Sequence, residues 1–365
     1  MTTAPGHQSD ARDPSRASSS GLDRPLALRR RPDVFAVPQM FSGQRLWALK
    51  DPVTLRYFHL RDEEYWVFQA LDGHASLAGI QRNFEKNFAP RRLTLSHLQT
   101  FLGMLHQEGL ILAEAPGQAG ELLDRAGKLK RQKLLAALSN VLAIRFRGID
   151  PQRFLDWILF RFGWLISAWS VALGAFVVVA AVALVLTKFD AVLARMPDVD
   201  SFLTPTTVIW LTVAMALVKI LHELGHGLTC RFFGAECHEL GLMFLVFTPC
   251  LYCNVSDSWM LESKWRRAAI GAAGVGVELV LAAACTLLWW FSEPGLLNSL
   301  CLNVMLICSA GTLLFNGNPL MRYDGYYILA DLVEVPNLSQ AATATIRELL
   351  GDWLLGIPAR PEDDY

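Results

Sequence analysis

The run His222-Glu223-Leu224-Gly225-His226 carries the residue types and spacing most suited to chemistry in this chain. Residues four apart on a helix share one face, so the imidazoles of His222 and His226 can reach a single metal ion. Glu223 stands beside the first of them, where a carboxylate can take a proton from an attacking water. The run lies inside an apolar segment, where titratable groups are costly and mark a working site. A catalytic zinc takes three protein ligands and leaves one position open, so a third ligand must come from elsewhere. Asp324 is the best candidate, in Asn316-Gly317-Asn318-Pro319-Leu320-Met321-Arg322-Tyr323-Asp324-Gly325, at the end of a later apolar segment. Gly325 beside it permits a close backbone approach. Together these residues imply Zn2+-dependent hydrolysis within a membrane.

The composition agrees with that setting. Of 365 residues, 53% are hydrophobic and 18% charged, and the mean hydropathy is +0.30. That is too apolar for an ordinary water-soluble protein of this length and implies a multi-pass class spanning a lipid bilayer. The net charge of -1 offers no global attraction to nucleic acid. Seven cysteines, mostly in apolar segments, do not form a secreted disulfide framework.

Four segments are apolar enough to cross: Phe162–Thr187, Pro205–Arg231, Ala268–Phe291 and Leu296–Leu320. Gly271, Gly274 and Gly276 in the third permit close helix packing. Upstream, Arg125 to Arg161 holds nine Lys or Arg against Asp150 and Asp156. By the positive-inside rule, this basic stretch puts the N-terminal side of the first span in the cytoplasm. His222 and His226 then fall in the cytoplasmic third of the second span. The segment 240–261 starts apolar but contains Pro249, Asn254 and Asp257, and Lys264-Trp265-Arg266-Arg267 follows. A re-entrant loop or hairpin keeps that basic cluster inside; a single crossing would invert the later spans.

Ahead of the spans, residues 31–117 read as a small α+β domain. Arg45–Leu49 and Arg56–Leu60 are expected as strands joined by a turn at Asp51-Pro52. Helices follow from Asp62, around Leu77, Ile80 and Phe84, and from Ser96, with a wing strand at Leu110-Ile111-Leu112. This order suits a winged helix-turn-helix. The helix over 96–108 is poor in Lys and Arg, which argues against DNA as its partner. Residues 1–30 are rich in Ser, Arg, Asp, Gly and Pro and are expected to be a disordered tail without a cleavable signal peptide. The domain plan is therefore 1–30 tail, 31–117 winged-helix domain, 118–160 basic linker, 161–330 membrane core and 331–365 C-terminal segment. Asp150-Pro151 is expected to start the helix leading into the membrane, with Asp150 as N-cap.

Two resemblances rest on these residues. Leu71-Asp72-Gly73, Leu77, Ile80, Phe101-Leu102 and Gly109-Leu110-Ile111 resemble PqqD-like domains, which implies recognition of a peptide that adds as a strand to a sheet edge. His222-Glu223-Leu224-Gly225-His226 with Asn316, Pro319, Asp324 and Gly325 resembles the site-2 protease family over about residues 205–330. That resemblance implies His222, His226 and Asp324 as zinc ligands, Glu223 as general base, and Asn316 as a contact for extended substrate or developing oxyanion. The combination is similar to bacterial peptide zinc metalloproteases associated with peptide maturation or export, so a peptide or protein substrate and export or efflux adaptor proteins are the implied partners. Where many members carry Gly-Pro-x-x-Asn, this chain reads Gly274-Val275-Gly276-Val277-Glu278. Tyr323 stands where Leu usually precedes Asp-Gly.

Several alternatives stay open at the level of sequence. Glu278 can back a zinc ligand, pair with Lys219, or hydrogen-bond between helices as a neutral acid. Lys219 reads best as snorkelling to an interface or cavity. Cys250-Leu251-Tyr252-Cys253 has metal-ligand spacing, but a lone pair is weak ground for a second metal or a redox role. A non-proteolytic peptide-binding or export component is the alternative to an intramembrane zinc metalloprotease.

Overall fold

The computed structural model describes residues 22–41, 43–113, 143–146, 148–196, 204–245, 248–335 and 337–355. The chain divides into two compact units, one centred on residues 22–113 and the other on residues 143–355.

In the first unit, strands β1 (Leu28–Arg30), β2 (Phe35–Phe41), β3 (Gln44–Asp51) and β4 (Arg56–Arg61) precede helices α1 (Asp62–Gln69), α2 (Leu77–Asn87) and α3 (Leu95–Gln107), and β5 (Ile111–Ala113) closes the unit. β2, β3 and β4 form one sheet in which β3 pairs antiparallel with β4 and Leu49 lies opposite Phe58. The expected turn forms because Asp51 accepts from the Val53 N–H (3.0 Å) and the Thr54 hydroxyl (2.6 Å). Ser76 and Thr94 cap α2 and α3 by accepting from Gly79 and His97. The apolar faces of all three helices meet Leu49 and Leu60 in one core with Phe68, Leu71, Phe84 and Leu105.

One expectation about this unit is corrected. Residues 28–30 do not belong to a tail: β1 pairs antiparallel with β5, Leu28 opposite Ala113 and Arg30 opposite Ile111. The partner lies some eighty residues away, so no local pattern could announce it. Residues 1–21 and most of the linker, 114–142, lie outside the described residues.

The second unit is mainly helical. It begins with β6 (Ala143–Arg145) and α4 (Gln152–Phe162), then α5 (Ala168–Thr187), α6 (Phe189–Arg195) and α7 (Pro205–Phe232). A hairpin of β7 (Leu240–Leu245) and β8 (Thr248–Cys253) leads to α8 (Lys264–Phe291), α9 (Leu296–Gly311), α10 (Asp324–Val333) and α11 (Leu338–Leu355). Among the described residues, four helices are long and apolar enough to cross a membrane: Ala168–Thr187, Pro205–Phe232, Lys264–Phe291 and Leu296–Asn316.

The boundaries shift for identifiable reasons. Gly163–Ile166 forms a 3-10 turn and Ser167 caps α5 through the Ser170 N–H, so the first span starts at Ala168 rather than Phe162. The fourth ends at Asn316 in a π-turn over Thr312–Asn316, sealed by the Gly317 N–H on the Thr312 carbonyl (2.7 Å). α4 starts one residue later than expected, with Pro151 at the cap and the Asp150 carboxylate accepting from the Gln152 N–H. The boundary placed at 330 falls inside α10, because Asp331 is tied to Arg267 at 2.9 Å.

Segment 240–261 is a hairpin over residues 240–253 followed by a 3-10 turn at Ser256–Met260. β7 pairs with β8 and with β6, Ile144 lying opposite Phe244. Helices α7 and α8 are antiparallel: Lys219 meets Glu278, Gly225 meets Val277, and His226 meets Ile270. The end of α7 and the start of α8 therefore share one end of the bundle, and the hairpin connects them without a crossing.

Candidate metal centre

α7 presents Lys219, His222 and His226 on one face, at i, i+3 and i+7. α8 can lie against that face because both helices carry glycine there. A Cβ at Gly225 would stand 3.0 Å from Val277, and one at Gly274 would stand 2.4 Å from His226 Nε2 and 2.6 Å from His222 Nε2. Gly274 is thus the cradle for the two imidazoles.

Asp324, first residue of α10, completes the group. Its Oδ2 lies 3.0 Å from His222 Nε2 and 3.4 Å from His226 Nε2, and the two nitrogens are 3.1 Å apart. α10 is held against α8 by Arg267–Asp331 and by Lys264–Glu334 at 3.1 Å. Gly325 packs on the backbone of Gly317, where a Cβ would be 2.6 Å from the carbonyl oxygen. That contact docks α10 under the end of the fourth span.

The donors fit a zinc ion. With bonds of about 2.0–2.1 Å, tetrahedral ligand atoms stand roughly 3.3 Å apart, which matches the three separations just given. Asp324 Oδ2 is buried and has no hydrogen-bond donor, the state expected of an oxygen whose lone pair is reserved for a cation. His226 Nδ1 hydrogen-bonds to the Ile270 carbonyl oxygen at 2.8 Å. Donation from that nitrogen leaves Nε2 as the ligand atom. Among the described residues, His222, His226 and Asp324 are the one cluster of three metal-ligating side chains within bonding range of a common point.

Comparison with known proteins gives a limited relationship. The chain is 28% identical over 138 residues to the "Putative peptide zinc metalloprotease protein YydH" of Bacillus subtilis (strain 168), a match covering 37% of this chain and 52% of the relative. The chain thus spans about half the length of that curated relative. No protein-family model and no solved structure matches the chain.

Behind the triad sits Glu278, 1% exposed. Its Oε1 accepts from Lys219 Nζ at 2.6 Å, and its Oε2 from the Thr312 hydroxyl at 2.6 Å. The Asn316 amide nitrogen lies 3.0 Å from both oxygens. His222 Nδ1 is 3.0 Å from Oε1, within ion-pair distance though not aligned as a hydrogen bond. Glu278 therefore meets Lys219 and the imidazole of His222 at once, where sequence posed these as alternatives. Lys219 points to that carboxylate instead of snorkelling.

Glu223 lies beside the triad, with the backbone of Cys253 at the end of β8 close to its carboxylate. Sequence reasoning missed that the end of the hairpin comes up to this acid. It missed Thr312 too. One signal was available: Gly271, Gly274 and Glu278 recur at i, i+3 and i+7 on α8, and Thr312 and Asn316 at i and i+4, which marks the faces turned toward the α7 motif.

Proposed function

We propose that this chain is an intramembrane zinc metalloprotease of the site-2 protease kind. The observation that carries the reading is the convergence of His222 Nε2, His226 Nε2 and Asp324 Oδ2 at zinc-ligand separations, next to Glu223, among helices long enough to cross a membrane. The name of the Bacillus subtilis relative supports a peptide bond as the target.

His222, His226 and Asp324 hold the metal. Bound there, zinc would supply a Lewis acid and lower the pKa of water toward neutrality. Glu223 takes the proton from the attacking water and returns it to the leaving amine nitrogen. The backbone of Cys253, at the end of β8, borders the Glu223 carboxylate. Asn316 spends its amide N–H on Glu278, which leaves its side-chain oxygen for a substrate N–H. A helical substrate hides its carbonyl carbons, so the cleaved stretch is unwound.

In this reading the N-terminal unit is a PqqD-like winged-helix module that captures the peptide by strand addition. It faces the cytoplasm, since the basic stretch from Arg125 to Arg161 precedes the first span. The protein sits in the cell inner membrane and works with export or efflux adaptors.

The test is Glu223→Gln in cells. Wild type should generate peptide termini from membrane or exported proteins that the variant does not, while the purified variant keeps one zinc per chain. Identical termini, with the export phenotype intact, would show a non-proteolytic peptide-binding component instead.

A further inference from the structure

We propose that Cys237 and Cys253 form an oxidisable dithiol, which a small hydroperoxide converts to a disulfide across the base of the β7–β8 hairpin. Their sulfurs lie 3.2 Å apart. Cys237 stands just before β7 and Cys253 ends β8, where the register pairs Leu240 with Cys253. The Asn254 N–H donates to the Glu239 carbonyl at 2.8 Å. The two cysteines thus flank the open end of the hairpin on a backbone fixed by its own ladder. A disulfide bond is about 2.05 Å long, so bonding needs the sulfurs to close by only about 1 Å.

The pair is not the one that the C-x-x-C spacing suggests. Three residues of a strand span about 10 Å, beyond the roughly 7 Å between Cα atoms that a disulfide bridges. The partner of Cys253 comes instead from the segment that follows the H-E-x-x-H helix.

The chemistry follows from the contact. The Cys253 thiol donates to Cys237 and draws its pKa below the ordinary thiol value, although burial pushes it up. Cys237 is therefore the nucleophile. Cys237 is fully buried and Cys253 partly so. An oxidant must be close to water in size, which selects a hydroperoxide over a protein or glutathione disulfide. The Cys237 thiolate attacks one peroxide oxygen, the O–O bond breaks, and the other oxygen leaves as hydroxide and takes up a proton to become water. Cys237 is now a sulfenic acid. The Cys253 sulfur attacks it, the S–S bond forms, the S–O bond breaks and a second water leaves. Two electrons pass from the two sulfurs to the peroxide.

The bond would act on β8, whose last residue borders Glu223 and rests its sulfur on Gly227, where a Cβ would be 3.2 Å away. It fixes that strand without touching the three metal donors.

The experiment uses the reduced full-length protein in detergent, treated with hydrogen peroxide or, in parallel, oxidised glutathione, followed by peptide mass spectrometry. With peroxide, the peptide carrying Cys237 should appear joined to that carrying Cys253, two thiols should disappear, and dithiothreitol should restore both at unchanged metal content. Cys237→Ser and Cys253→Ser should each abolish the product, and Cys285→Ser should not. Absence of the linked peptide in wild type overturns the proposal whether or not the variants fold. Equal reaction with oxidised glutathione overturns the choice of oxidant. The readout is a covalent bond and does not depend on proteolysis.

Discussion

Gly274→Ala is the sharpest perturbation of the metal centre. The new methyl would lie 2.4 Å from His226 Nε2 and 2.6 Å from both Cε1 and Nε2 of His222. That is about 1 Å inside the normal approach of such atoms. Spreading α7 from α8 would cost about 1–3 kcal/mol of overpacking. Swinging the imidazoles aside costs less but removes two of three donors from their common point. We expect the chain to stay folded and zinc affinity to fall at least about 100-fold, or ~2.8 kcal/mol at 1.4 kcal/mol per tenfold. Gly276→Ala is the matched control, two residues along the same helix and with nothing within 4 Å of its added carbon. It should keep zinc and gain about 0.5–1 kcal/mol of helix stability. The assay is competition with a graded chelator on the purified proteins, with thermal unfolding in parallel. Wild-type zinc affinity in Gly274→Ala, or equal losses in the two variants, would refute the cradle.

Three further outcomes are expected. Stripping zinc with a chelator should lower stability by about 2.7 kcal/mol where free zinc had stood at 100 times its Kd, read as a drop in Tm that Asp324→Asn no longer shows. Glu278→Gln and Lys219→Met should each weaken zinc about 10–100-fold, while the double variant should lose less than the sum, because it removes both charges and strands neither. In the first unit, burial raises the Asp51 carboxyl, but donation from the Thr54 hydroxyl, Arg31 and the Val53 N–H outweighs it and holds the pKa below the ordinary 3.8. Its contribution to stability is complete above that value and lost as pH falls through the depressed one. Hydrogen exchange over residues 22–113 should therefore accelerate below pH 3.8, and Asp51→Asn should flatten that dependence.

What sequence made legible was local. The spacing of His222 and His226 needs only one helix, and the turn at Asp51 closes within three residues. Asp324 was reachable because its run carries its own glycine. The missing parts depended on distant backbone. β1 finds β5, and β6 finds β7, across separations that no periodicity encodes. The approach of the Cys253 backbone to Glu223 is a main-chain feature, invisible to a reading of side chains.

Glu278 shows why its role could not be chosen from sequence. A carboxylate has two oxygens and about four acceptor sites, so Lys219, Thr312, Asn316 and His222 need not compete for it. The alternatives framed by pairwise spacing are simultaneous in three dimensions. The same fact explains why a charge is tolerated at a depth where an amide would seem safer. Lys219 neutralises it, two side chains satisfy its remaining lone pairs, and the imidazole of His222 lies beside it. A carboxylate here thus brings its cation on the same helix face as His222 and His226, three residues before His222. Substituting the acid alone strands Lys219, and substituting the lysine alone strands the acid. The proposed metal centre and its buried ion pair are therefore one electrostatic unit spread over α7, α8 and the end of the fourth span.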